Sequence, residues 1–277
     1  MATQYLLPDK RDPKSNASYK SGTAPVAGDT AVWADGNTDI DTNLDWEAVD
    51  LQSIIITPTK GGNVGGQNPF QTVINQSGTG TFLIYGSGQR YFISAGGAAN
   101  VIHEIQFRPS AGGHLLLINC TNANLSLEAG SSTIETSVIL GDVVISGEHS
   151  AWIKSHASDV INLVVAIGQS RCLLERDFTT ARVAENAELV IDLTAPSGVA
   201  GGTVEMYGGT LFPVRGSSAT INAYGGVIDA TRLKENVTFT NGVIYPGVTI
   251  RRMRNGPTLD ISGVTLKYGG PKIVYVD

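Results

Sequence analysis

The hydrophobic pattern of this chain is one of many short alternating stretches, and near its end the pattern repeats. "TVEMYGGTLF" is followed by "TINAYGGVID", then by "VTFTNGVIYPG" and, more loosely, by "LDISGVTLKYGG". Aligned on the turn, Gly209, Gly226 and Gly242 stand 17 and 16 residues apart. Before each turn lies an alternating apolar pair (Val204 and Met206, Ile221 and Ala223, Val237 and Phe239). Two residues after it comes another apolar side chain (Leu211, Ile228, Ile244). Alternation puts such residues on one face of a strand. A strand, a glycine turn and a second strand, recurring at this spacing, is the sequence form of a β-solenoid. Gly209, Gly226 and Gly242 are accordingly read as stacked structural turns.

The same texture runs upstream. "QTVINQ", "TFLIYG", "RYFISAGG", "VIHEIQFRP" and "HLLLINC" are short apolar runs, most of them ending in Gly, Pro or Asn, which is how strands are bounded. "TFLIYG" and "HLLLINC" are apolar almost throughout, as strands covered on both faces are. Asn119, Asn122 and Asn124 are expected in a ladder of stacked amides. Between residues 131 and 200 turn signals recur about every 8–12 residues. Only "LLERDFTTARVAENAEL" admits a short helix as an alternative. The last strand, "GPKIVYVD", has no capping residues after it and is expected to pair with another subunit.

Residues 1–30 read differently. "PDKRDPKSNASYKSGTAPVAG" has three prolines, little apolar content and no period, so it is expected to be an extended arm that orders on a partner. Tyr5, Leu6 and Leu7 would be its apolar anchor, and Lys10, Arg11 and Lys14, with Lys20, its basic contacts. The organisation predicted is thus an anchoring arm over 1–30 and a solenoid domain over 31–277. The fold class is all-β, a parallel right-handed β-helix of about 20 residues per turn. A β-sandwich or jelly roll accepts the strand spacing equally well, but the repeat in the last rungs favours the solenoid.

Composition agrees with a turn-rich β protein and removes several functions. Of 277 residues, 33 are Gly and only 16% are charged, against about 7% Gly and about a quarter charged in ordinary domains. The net charge is −6 and no basic run exists, so there is no electrostatic footprint for nucleic acid. No 18-residue apolar run is present, and "MATQYLLPDKRDPK" lacks the apolar centre of a signal peptide. Neither a membrane span nor export is therefore expected, and synthesis in the cytoplasm is. Cys120 and Cys172 lie far apart without metal spacing and are read as buried free thiols.

The search for chemistry returns little. Lys60 precedes Gly61 and Gly62, the reverse of a phosphate loop. "HEIQF" at His103 is not a zinc-protease motif, and no GxSxG occurs. His103, His114, His149 and His156 share no ligand spacing and read as surface or turn histidines. Asp35, Asn37, Asp39 and Asp41 alternate and would share one strand face; a hard-cation site there is the alternative to a solvated face, and no metal or cofactor is assigned. Sugar cleavage needs two carboxylates about 5–9.5 Å apart, and in the central rungs Glu128, Glu135, Asp142, Glu148 and Asp159 are scattered. The "NTD" at Asn37–Asp39 resembles the polygalacturonase-type family, but the paired Asp, "GHG" and "RIK" of that family do not follow. Catalysis is not expected. Trp33, Trp46 and Trp152, with nine Tyr, are the candidates for glycan contact; Trp33 and Trp46 read better as caps of the core.

The entry segment carries one resemblance. "GDTAVWADGNTDIDTNLDW", then "VDLQSIIITPTKGGNVGG", joins a "GD-apolar" strand, an "ID-T-x-L" strand, an "-LxSIxI-" strand and a glycine-rich turn. With the "YGG" repeats, this resembles phage virion structural proteins built on a β-helix, of the decoration, head-fibre and tail-spike kinds. The resemblance implies a non-enzymatic virion protein, a capsid decoration or head-fibre protein anchored to the shell by its arm. It also implies the major capsid protein or another virion protein as partner, a homotrimer, and location in the virion. A tail-spike or collar component, or a carbohydrate-active β-helix enzyme, is the alternative it leaves open.

Overall fold

The computed structural model describes residues 2–40, 44–65, 72–75, 81–94, 101–109, 112–118, 121–135, 138–139, 141–154, 160–193 and 201–277. Among these the chain is nearly all β, with 25 strands and one short 3-10 turn at Asn16–Ser18. The strands pair in parallel and stack as a β-solenoid. Two compact units form, Met1–Leu140 and Gly141–Asp277.

In the first unit one column of strands runs Thr3–Leu6, Thr30–Trp33, Ser53–Ile56, Thr81–Ile84, Val101–Phe107 and Thr121–Leu127. A second runs Leu44–Asp50, Thr72–Asn75, Gln89–Ser94, His114–Ile118 and Ser131–Glu135. Parallel register stacks like positions: Trp33, Ile56, Ile84, Phe107 and Leu127 are successive partners and are all fully buried. Each contributes roughly 1.5–3 kcal/mol by leaving water. Trp33 is thus a core residue; the side chain of Trp46 lies outside the described residues.

The second unit repeats the arrangement. Val143, Val164, Ala181, Val204 and Ile221 form one buried column. Ala151, Cys172, Leu189, Leu211, Ile228 and Ile250 form another on the second run of strands. The stretch that admitted a helix is instead the strands Arg171–Leu174, Phe178–Val183 and Glu188–Asp192. Rung length varies: partners are 17 residues apart at Thr203 and Thr220 but 22 at Gly226 and Val248. Cys172 is a buried free thiol whose pKa burial pushes up to about 12; Cys120 lies outside the described residues.

Four expectations change. Residues 2–30 do not run as an extended arm but make the first rung. Thr3–Leu6 pairs with Thr30–Trp33, and the chain returns through an antiparallel bridge between Leu6 and Tyr19. Asp29 ties the loop by accepting the Ala2 N–H at 2.6 Å and the Val26 N–H at 3.3 Å, and the Tyr19 hydroxyl donates to the Pro13 carbonyl at 2.9 Å. The segment needs few apolar residues because a neighbouring strand supplies its backbone partners. Leu6 is consequently buried and Leu7 half-buried. Tyr5, Arg11 and Lys14 remain exposed, and Lys10, half-buried, pairs with Asp9 at 3.5 Å.

Gly242 is not a turn stacked on Gly209 and Gly226. It lies inside the strand Val237–Ile244, opposite Ile221, and the third corner is Tyr245–Gly247. The rung is longer because residues 231–236 leave the coil, so a glycine count slips by several residues. Gly209 and Gly226 do stack: a side chain on Gly226, with φ +97°, would meet the Gly209 carbonyl oxygen at 2.6 Å.

Asp35 and Asp39 sit in a loop rather than on a strand face; Asp35 has φ +59°, and Asp39 accepts the Asn63 N–H of the next rung at 2.7 Å. Asp41 lies outside the described residues. For the amide ladder, Asn124 stands opposite Glu104, not another Asn; Asn119 and the side chain of Asn122 lie outside the described residues.

Candidate functional site

Strand alternation has two sides, and in the second unit the outer side of one column is unusual. Ala151 and Ile153 point inward, so Trp152 between them points out. Its partners on successive rungs are Leu173, Val190 and Phe212. Four apolar side chains in register on an outer face would ordinarily lie open to water. Here Val190, Phe212 and Val214 form a buried cluster of their own, with Leu173 packed against it. Trp152 stays 41% exposed at its edge.

The cover is the excursion at residues 231–236. Lys234 donates its N–H to the Val214 carbonyl at 2.9 Å, and Glu235 accepts the Gly216 N–H at 2.9 Å. These bonds hold Arg232 with its guanidinium carbon 4.5 Å from the centre of the Phe212 ring, a cation–π contact. A register shift between Ile191 and Asp192 brings Arg215 level with Asp192, as a bulge does by adding one residue to one strand.

Asp192 is therefore held from two sides. Arg215 Nε donates to its Oδ1 at 2.5 Å and Lys234 Nζ to its Oδ2 at 2.9 Å. Burial alone would raise its pKa, but the two hydrogen bonds and the two positive charges outweigh it and hold the carboxyl below the usual carboxylate range.

What remains between the excursion and the strand face is a cavity of about 430 Å³, within the size range of small-ligand sites. Leu173, Val190 and Val214 make its apolar floor; Trp152, Arg171, Asp192, Arg232 and Lys234 make its polar and aromatic walls. Arg171 is loosely paired with Glu188 at 3.5 Å and half exposed. Lys154 lies 4.6 Å from the Trp152 ring. Among the described residues no carboxylate lies within ion-pair distance of Arg232. Of the three cations in the walls, Lys234 is thus engaged by Asp192 and Arg171 by Glu188.

Of the residues singled out in the sequence, only Trp152 joins this site. Tyr5, Leu6 and Leu7 line a smaller cavity of about 230 Å³ in the first unit, with Pro8, Lys20, Ala34 and Asp35. Among the carboxylates considered for sugar cleavage, Glu128 pairs with Arg108 at 2.6 Å and Asp142 accepts a hydrogen bond from Asn162 at 2.8 Å; Asp159 lies outside the described residues. His149 is buried rather than on the surface. His114 Nδ1 lies 2.8 Å from the Ser131 hydroxyl, with its pKa lowered by burial. His156 and the side chain of His103 lie outside the described residues. Among the described residues no three His, Cys, Asp or Glu stand together as metal ligands, and no helix is long and apolar enough to cross a membrane.

A second feature lines one corner of the same unit. Tyr207, Tyr224 and Tyr245 stack, each ring centre 5.2 Å from the next. Tyr207 and Tyr224 are largely exposed. The sequence signal for this ladder was the repeated "Y-G-G/Y-P-G" corner. No such signal marked Asp192, Arg232 or Lys234, which stand up to 42 residues apart. No family model matches this chain, and neither a curated protein nor a solved structure matches it.

Proposed function

We propose that this protein is a non-enzymatic structural part of a phage virion, of the capsid-decoration or head-fibre kind. Its stacked solenoid would serve as a stiff mount, and its outer faces would make the contacts. The observation that carries the non-enzymatic reading is Asp192. Among the described residues it is the one carboxylate that lines the cavity; two ion pairs hold it ionised, and no second carboxylate lines the cavity to serve as the acid that sugar cleavage needs. Contact with the major capsid protein or another virion protein is assigned to the exposed Tyr5, Arg11 and Lys14 of the first rung, and a homotrimer is the assembly proposed.

The test is the copy number of this chain per purified particle, by quantitative mass spectrometry against the major shell protein. Tens to hundreds of copies support a lattice-bound decoration protein. A few copies move it to a spike, collar or fibre, the second reading, which the Trp152 cavity favours. Absence from particles refutes the virion reading. The first-rung contact is tested by changing Tyr5, Arg11 and Lys14 to Ala together; the folded variant should no longer bind shells.

A further inference from the structure

The cavity under the 231–236 excursion has the chemistry of a ligand site. Its floor is apolar (Leu173, Val190, Val214), and a large flat ring, Trp152, is exposed at its side. Its end is fixed by the Arg215–Asp192–Lys234 network. Arg232 is the group that decides the charge of the occupant. It stacks on Phe212, which orients the guanidinium at little further entropic cost. It lines the cavity, and among the described residues no carboxylate pairs with it. Arg171, which also lines the cavity, is loosely paired with Glu188. Of the three cations that line the cavity, Lys234 is paired with Asp192 and Arg171 with Glu188, which leaves Arg232 as the one that can meet an anion.

An anion alone would not use the apolar floor or the indole. A wholly apolar ligand would make no use of the exposed Arg232 guanidinium at the rim. A sugar ring satisfies both demands: its C–H face packs on an aromatic side chain, and a ring carboxylate accepts paired hydrogen bonds from a guanidinium. We infer that this cavity binds an acidic saccharide, with the sugar ring against Trp152 and its carboxylate on Arg232. The binding is a property of the isolated chain and does not require the virion reading.

The experiment uses a galacturonic acid trisaccharide and its neutral methyl ester as probes, titrated into the full chain by calorimetry and by intrinsic tryptophan fluorescence. The acid should bind and the ester should bind about tenfold more weakly, since esterification removes the charge-assisted hydrogen bond but keeps the ring. Affinity for the acid should fall as salt rises. Arg232→Met keeps an apolar cover over Phe212 and should reduce binding of the acid to the level of the ester. Trp152→Ala should weaken both and abolish the fluorescence change. Equal binding of acid and ester overturns the proposal, as does no binding of the acid up to about 10 mM, where the binding free energy would be under about 3 kcal/mol. Wild-type-like binding by folded Arg232→Met also overturns it. Saccharide binding is read on the purified chain and copy number on particles, so either proposal can fail while the other stands.

Discussion

Replacing Gly242 by Ala tests the register of the last rungs, because the effect expected depends on where this glycine sits. Gly242 has φ +121°, a conformation that other residues adopt only at a cost of about 1–3 kcal/mol. Gly256 has nearly the same backbone, φ +129°, with nothing within 4 Å of where a Cβ would be. At Gly242 the added Cβ would overlap the Ile221 carbonyl oxygen and lie 2.7 Å from its carbon and 2.8 Å from its nitrogen. Those atoms are backbone of the neighbouring rung and cannot turn away. The rungs must part around Thr220–Asn241, Ile221–Gly242 and Asn222–Val243. That weakens two or three ladder hydrogen bonds worth about 1 kcal/mol each. Gly256→Ala should therefore cost about 1–3 kcal/mol, and Gly242→Ala about 3 kcal/mol more. The urea slope grows with chain length and is about 3 kcal/mol per molar at the upper end of the small-protein range, so far-UV circular dichroism should place the Gly242→Ala midpoint about 1 M below that of Gly256→Ala. A Gly242→Ala chain that does not fold, beside a folded Gly256→Ala, is the same outcome at its limit. Equal midpoints would refute the placement of Gly242 inside a strand and restore it to a turn.

Three further outcomes follow from the same structure. Tyr224→Ala breaks both stacking contacts of the corner ladder and should cost about 1–3 kcal/mol, at about 0.5–1.5 per aromatic pair; Tyr207→Ala, which loses one, should cost about half as much in the same urea assay. Asp192 has a folded pKa below its unfolded value of 3.8, so its contribution is present above that pH and is lost as pH falls through the folded pKa. Asp192→Asn should lower stability near neutrality and flatten the acid limb of the stability–pH curve; an unchanged limb counts against the ion-pair network. With its pKa raised to about 12 by burial, Cys172 should resist a thiol reagent at pH 8 in a Cys120→Ser chain until denaturant is added. Prompt labelling without denaturant would count against its place in the core.

The sequence by itself determined the class of structure. Alternation of apolar residues in "TVEM", "TINA", "VVIS" and "RCLL", punctuated by Gly and Asn, is local information, and a parallel stack is the arrangement that buries such strands on one side while pairing their backbones. The corner repeat around Gly209 and Gly226 was legible for the same reason: each rung needs a residue without Cβ where it lies on the backbone of the next. Tertiary structure alone decided three things. The first rung formed from a segment poor in apolar residues because Thr30–Trp33 pairs with Thr3–Leu6 and Asp29 ties the loop between them, partners far along the chain. Gly242 moved from turn to strand because rung length is set by what leaves the coil, which no spacing reveals. The cavity arose because a bulge aligned Arg215 with Asp192 while residues 231–236 folded back over Phe212. Its charge and shape belong to side chains distant in sequence, and no local pattern along the chain records which of them will meet.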